Sequence, residues 1–354
     1  MKAKNLFVAG LCLFVISVTA QTKAKNVIFM IGDGMGINQI YAAMTANGGH
    51  LNLETCTTSG YSKTYSADNY ITDSAAGGTA LATGSKTKNG MIGLAPDSVT
   101  KLISALHYAK QKGLSTGLVV TVSVTHATPA SFYAHQISRK MDEEIAIDLL
   151  KEQVDVVIGG GQKFFDRRKD SILLTNQFIE KGYHVVYTEK DINNVRSGKL
   201  LALLSETDLP VATKRGDMLP NSVEKAINLL SNNKDGFFLM VEGSQIDYQG
   251  HNNNSDELIA EMIDFDKAIG KALEFAKKDG NTLVVITADH ETGALAILNG
   301  SYQTGVIDAK FNTTGHSGVP VPVFAYGPGS ELFSGWMENI DFRNKVLKAL
   351  GINP

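Results

Sequence analysis

The sequence predicts an α/β fold built on a mostly parallel central sheet with helices on both faces. Three observations carry that expectation. Apolar strand-like runs alternate with amphipathic helical segments from Val27 to the C-terminus, the order that gives βαβ crossovers and a covered parallel sheet. Four of those runs end at acids, histidines or hydroxyls, and ligands of such sheets bind in the crevice outside the carboxyl ends of the strands. No repeat, charge block or low-complexity stretch divides the chain, so residues 21–354 are expected to form a single domain with loop insertions.

The first twenty residues stand apart. Lys2 and Lys4 precede an apolar stretch from Leu6 to Val18, and Val18-Thr19-Ala20 supplies small residues before a cut at Gln21. A charged start, a short apolar run and a small-residue site describe a secretory signal peptide; the run is shorter than the ~20 residues of a spanning helix. The expectation is export across the inner membrane to the periplasm or the medium, with no membrane span once residues 1–20 are removed. Losing Lys2 and Lys4 moves the net charge from −3 to about −5, which gives no electrostatic case for a nucleic-acid partner. Cys56 is then the lone cysteine, so the mature chain has no internal disulfide and depends on its core. Cys56 itself is expected as a small buried hydrophobe.

The strand Asn26–Ile31 leads to Gly32-Asp33-Gly34. Asp73-Ser74-Ala75-Ala76-Gly77-Gly78 opens a small-residue segment readable as a helix N-terminus, where free N–H groups and the positive dipole end suit a phosphate. Ser74 reads there either as a helix cap or as a nucleophile needing a base or a metal. With no Gly-x-Ser-x-Gly elbow present, a metal is the better activator. A helix over Val99–Lys112 precedes a strand over Leu118–Thr121, which runs into Thr125-His126-Ala127-Thr128. The helix Asp142–Gln153 and the strand Val154–Ile158 follow, with Gly159-Gly160-Gly161 read as a turn. Next come the strand Tyr183–Tyr187 and the helix Asn221–Asn232.

The strand Phe237–Val241 delivers Glu242, Asp247 and His251; the last two are four apart, so one helical turn places both on one side. The helix Asp256–Lys278 starts beside capping-type residues, and the strand Leu283–Thr287 leads to Asp289-His290. His316 lies in the Thr314–Gly318 loop before the strand Val321–Ala325. Carboxylate plus imidazole suits zinc, whereas oxygen-only sets suit magnesium. His50, His107 and His184 lack ligand-type neighbours and are expected to be structural or exposed; His135 is expected to pack behind the site without ligating.

Taken together, Gly32-Asp33-Gly34-Met35-Gly36, Thr72-Asp73-Ser74-Ala75-Ala76, His126-Ala127-Thr128-Pro129-Ala130 with Arg139, Val154–Gly161, Glu242–His251, Thr287–Gly293 and Gly315–Gly318 resemble the alkaline phosphatase family. Their order and spacing match over nearly all of the mature chain. The resemblance implies Asp247, His251 and His316 on one zinc, and Asp33, Asp289 and His290 on a second that Ser74 Oγ approaches. It implies a third ion, magnesium, held by Asp33, Thr128 and Glu242. Arg139 would hold the phosphoryl oxygens with its planar fork. Asp73, His126 and Tyr248 would lie close by as supporting groups or substrate contacts. The implied activity is hydrolysis of small phosphate monoesters to an alcohol and inorganic phosphate through a phosphoserine, with broad leaving-group tolerance.

Three departures matter. His126 stands where family members carry Asp or His, and an imidazole opens the third site to another divalent metal. Tyr248 stands where relatives often carry Lys or His, and a phenol donates a hydrogen bond without positive charge. The short segment between His290 and His316 implies a reduced accessory (crown) region and weakens the expectation of the family's homodimer. Sulfatases need Pro and Arg at fixed steps after the nucleophile, and Ser74-Ala75-Ala76-Gly77-Gly78 has neither. Phosphodiesterase relatives typically lack the combined Arg139, Thr128 and Glu242 set. A non-catalytic protein capturing zinc or phosphate would need the ligands but not Ser74.

Overall fold

The computed structural model describes residues 23–353; the expected signal peptide lies outside them. In chain order the strands are β1 (Asn26–Gly32), β2 (Thr58–Lys63), β3 (Ser115–Ser123), β4 (Val156–Gly160), β5 (Tyr183–Val186), β6 (Lys199–Leu203) and β7 (Phe237–Gly243). They continue with β8 (Thr282–Thr287), β9 (Glu291–Thr292), β10 (Ala296–Gly300), β11 (Ile307–Lys310), β12 (His316–Ser317), β13 (Val321–Tyr326) and β14 (Gly335–Glu338). Ten of them form one sheet in the order β14-β2-β13-β8-β1-β7-β3-β4-β6-β5. Neighbours are parallel except where β13 meets β8 and β2.

β1, β7 and β8 are buried along their whole length, as continuous apolar runs should be in a sheet covered on both faces. Side chains alternate between the faces. Val27, Phe29 and Ile31 enter a core with Phe132, Phe238 and Phe342, while Ile28 and Met30 enter the opposite core with Phe237, Met262 and Phe265. The register sets Ile31 opposite Glu242 on one side and Thr287 on the other, and Val120 opposite Glu242. The carboxyl ends of four adjacent strands are therefore nearly flush, which makes one crevice from residues far apart in sequence.

The Ser255–Asp279 helix opens on Asn254, whose side chain accepts from Glu257 N–H, and closes at Gly280 in the left-handed conformation. Two expectations need correction. The helix expected from Val99 begins at Ala105, because Ser104 caps it by accepting from His107 N–H at 3.1 Å while Leu94 and Lys101 form a bridge upstream. Gly159 and Gly160 belong to β4 rather than to a turn; a side chain at Gly160 would collide with the Thr207 carbonyl.

The segment after β6 is tied to the long helix by a buried charge network. Arg215 Nη2 lies 2.5 Å from Glu261 Oε2 and 2.6 Å from Asp264 Oδ2. Truncating Arg215 leaves two buried carboxylates without a cation, so Arg215→Ala is expected to cost about 3–5 kcal/mol. Urea unfolding of the variant against the parent measures it.

Candidate metal centre and nucleophile

Asp33 leaves β1, Glu242 lies in β7, and Asp289 and His290 follow β8. His126 and Thr128 follow β3, with Thr128 on the short Ala127–Ala130 helix. All of these are buried except His126, which is partly exposed. Asp247 and His251 share one face of the Gln245–His251 helix, as their spacing required. His316 comes back to the site through β12, which pairs with β9 over only two residues a side. Between β9 and β12 the β10–β11 hairpin is the sole strand structure.

Ser74 is the first residue of the Ser74–Thr83 helix, and the cap is Asp73, which accepts from Ala76 N–H at 2.9 Å. Glycines let this helix lie against the metal crevice. A Cβ at Gly77 would stand 3.1 Å from Asp289 Cβ, and one at Gly78 would stand 3.0 Å from Ser131 Oγ. Ser74 Oγ consequently reaches 3.3 Å from His290 Nε2. Gly34 has φ +74° where β1 ends, and a Cβ there would meet Asp247 Cα at 2.8 Å, so only glycine brings Asp33 and Asp247 this close.

Three donor groups result, each with its ligand atoms within 4.8 Å of one another: Asp247, His251 and His316; Asp33, Asp289 and His290; and Asp33, His126 and Glu242. Asp33 belongs to two of them. Thr128 Oγ1 donates to Asp33 Oδ2 at 3.3 Å.

The imidazoles are aimed by what lies behind them. His251 Nδ1 donates to Thr314 O at 2.5 Å and His316 Nδ1 to Thr72 O at 2.8 Å. Carbonyls only accept, so Nε2 of each ring faces Asp247, and the two Nε2 atoms lie 3.1 Å apart. His290 Nδ1 meets Thr292 Oγ1 at 3.2 Å while that hydroxyl donates to Asp247 Oδ1. Its Nε2 is left for Asp33 Oδ1 at 3.4 Å and Asp289 Oδ2 at 3.3 Å. Backbone or hydroxyl partners behind ligating histidines are usual in metal sites.

The electrostatics call for cations. Asp33 Oδ1, Asp289 Oδ2, both Glu242 carboxylate oxygens and His126 Nδ1 are buried without a hydrogen-bond partner. Burial first, then Asp289, pushes Glu242 up to about 8; burial and Asp247 push Asp289 up to about 7. Burial and the neighbouring carboxylates raise Asp33 well above the carboxylate range. Burial acts upward on Asp247 too, but the His251 hydrogen bond and the nearby imidazoles hold it well below its ordinary value. The His251 ring is raised to about 9 by its hydrogen bond to Asp247. Oxygen and imidazole donors that otherwise demand extra protons fit divalent metals.

Arg139 spans two supports, donating from Nη1 to Asp73 Oδ2 at 3.1 Å and from Nη2 to His126 Nε2 at 3.0 Å. Burial, then Arg139, lowers His126 to about 3, so the ring is neutral. A neutral imidazole has one lone pair. A cation held by His126 would therefore compete with Arg139 for that lone pair.

The remaining expectations are placed as follows. Tyr248 donates its hydroxyl proton to Asp208 Oδ2 at 3.2 Å. His107 pairs with Glu152, His135 Nε2 meets Leu102 O at 2.8 Å, and His50 and His184 are exposed. Cys56 is half-buried against one core, and burial pushes its thiol up to about 12. Thr292 and Asp208 were missed. Thr292 lay inside a motif already noted, whereas Asp208 sits in a loop without any pattern.

Fold and site together define a metal-binding hydrolase on a parallel α/β sheet. The family model described as Alkaline phosphatase matches residues 24–310, and the chain belongs to that family of metal-dependent phosphomonoesterases. It is 37% identical to "Alkaline phosphatase 4" of Bacillus subtilis, with 94% of this chain and 91% of that protein covered. It is 32% identical to "Alkaline phosphatase" of Escherichia coli, over 93% of this chain and 86% of that one. The solved alkaline phosphatase from the Antarctic bacterium TAB5 matches with a TM-score of 0.90 and 41% identity, covering 95% of this chain and 100% of that chain. A histidine-to-aspartate variant of that enzyme is described with magnesium in its M3 site. Among the described residues no helix is long and apolar enough to cross a membrane.

Proposed function

We propose that residues 21–354 form one catalytic domain of an exported, periplasmic or extracellular phosphomonoesterase that works through a phosphoserine at Ser74. The observation that carries this reading is Ser74 Oγ, at a helix N-terminus and 3.3 Å from His290 Nε2 beside Asp33 and Asp289. Asp247, His251 and His316 would hold one zinc, Asp33, Asp289 and His290 a second, and Asp33, Thr128 and Glu242 a magnesium, with His126 close enough to join the last set. Such ions lower the pKa of the hydroxyl and neutralise the attacking and departing oxygens. The Lys2-to-Ala20 pattern supports export.

Ser74 Oγ attacks phosphorus in line, and the P–O bond to the alcohol breaks. The N–H groups at the start of its helix face the phosphoryl oxygens. Arg139, steered by Asp73, offers its fork to two of them. Water then attacks the phosphoserine, releasing inorganic phosphate and restoring Ser74. Recognition rests on the phosphoryl group, so alcohols of many shapes are accepted.

A direct comparison of a phosphate monoester with its diester tests the reading. The monoester is expected to turn over faster, and Arg139→Ala to lower its kcat/KM about 10²–10³-fold. Faster diester turnover, or an indifferent Arg139, defeats it.

A further inference from the structure

We propose that Asp208 is a positioning residue of this site, a clamp that holds the Tyr248 ring against His126. Asp208 divides its carboxylate between two tasks. Oδ1 accepts from Ser123 N–H at 2.8 Å, at the very end of β3, and Oδ2 accepts from Tyr248 hydroxyl at 3.2 Å. The Tyr248 ring meets the His126 ring edge-on, with centroids 6.1 Å apart and planes at 85°. His126 in turn accepts from Arg139 at Nε2, leaves Nδ1 without a partner, and has a ring nitrogen within 4.8 Å of carboxylate oxygens of Asp33 and Glu242.

The clamp is itself held from both sides. Leu209 N–H bonds to Thr121 O at 3.3 Å, and Gln245 Nε2 donates to both Thr121 O and Leu209 O at 2.8 Å. Gln245 opens the helix that bears Asp247 and Tyr248. Arg215 Nη1 donates to both Pro210 O and Glu261 Oε1 at 3.0 Å, while Nη2 engages Glu261 and Asp264 and Nε engages Asp264. The loop is thereby stapled to β3, to the ligand-bearing helix and to the long helix behind it. Edge-on pairing is a favoured arrangement of two rings at this separation, so a phenol held in place favours the imidazole orientation that meets it edge-on.

The inference rests on the proposed third metal group, and the test separates the two. Magnesium is titrated into the zinc-loaded full protein by calorimetry, and the His126 ring is followed by ¹⁵N spectra of the metal-free protein. Asp208→Ala and Tyr248→Phe are each expected to weaken magnesium about tenfold, the lower end for partners behind a ligand. Because both act through one contact, the double variant should be no weaker than either single one. The parental ring should show one tautomer, with its proton on Nδ1, and both variants an averaged signal.

Tyr248→Phe keeps the ring and the Ser123 cap, so it carries the test alone if Asp208→Ala fails to fold. Additive losses, or an unchanged His126 spectrum in Tyr248→Phe, overturn the clamp. A parental protein that binds no magnesium would defeat the third-metal reading instead, and the spectrum would still decide the clamp.

Discussion

Ser74→Ala is expected to lower monoester turnover by at least about 10⁴-fold while the metal content stays at the parental level. The reasoning is local. The helix keeps its cap because Asp73, not Ser74, accepts from Ala76 N–H. Asp33, Asp289 and His290 keep their mutual geometry because β1 and β8 position them. The substitution removes one oxygen, 3.3 Å from His290 Nε2. Quenching the parental protein with labelled phosphate should leave label on Ser74, and the variant should take none. Parental-rate turnover by the variant would end the nucleophile assignment, and loss of bound metal would recast Ser74 as a structural partner of His290.

Stripping the metals is expected to bring the second large change, in stability and in its pH dependence. Asp33, Glu242 and Asp289 all have folded-state values raised by burial, Glu242 to about 8 and Asp289 to about 7. Unfolded, such groups titrate near 4. Between those limits the metal-free folded chain binds more protons than the unfolded one, so its stability falls as pH rises. That contribution is whole below about pH 4 and is lost as pH passes through the folded values of about 7 and 8. Chelated protein should therefore melt at progressively lower temperature from pH 5 to 8, and zinc with magnesium should restore the loss most fully at the alkaline end. A melting temperature indifferent to chelator at pH 8 would contradict the cation site.

The architecture was legible because a sheet covered on both faces requires long apolar runs, and β1, β7 and β8 are such runs. Their shared direction followed from the helices between them. The reversal of β13 did not, since Val321–Ala325 reads the same in either sense and only its pairing with β8 and β2 sets the direction. The helix expected at Val99 was mistaken because Ser104 stops it, and a cap outranks a weak periodicity. Among the site residues, those at strand ends or one helical turn apart could be placed from spacing. Asp208 could not: its only meaning comes from Ser123 and Tyr248, which lie far from it in sequence. Thr292 was hidden for a different reason, since hydroxyls are common beside strands and nothing local marks one that joins His290 to Asp247.

The β9–β12 pairing has a consequence for assembly. Asp33 leaves the ribosome among the first residues of the folded part and His316 among the last, tethered to the crevice by a two-residue ladder. No chain cut short before residue 316 can complete the Asp247–His251 group. A zinc held by Asp247, His251 and His316, as proposed, would thus report that synthesis has run almost to its end, and a truncated product would betray itself by a missing ion.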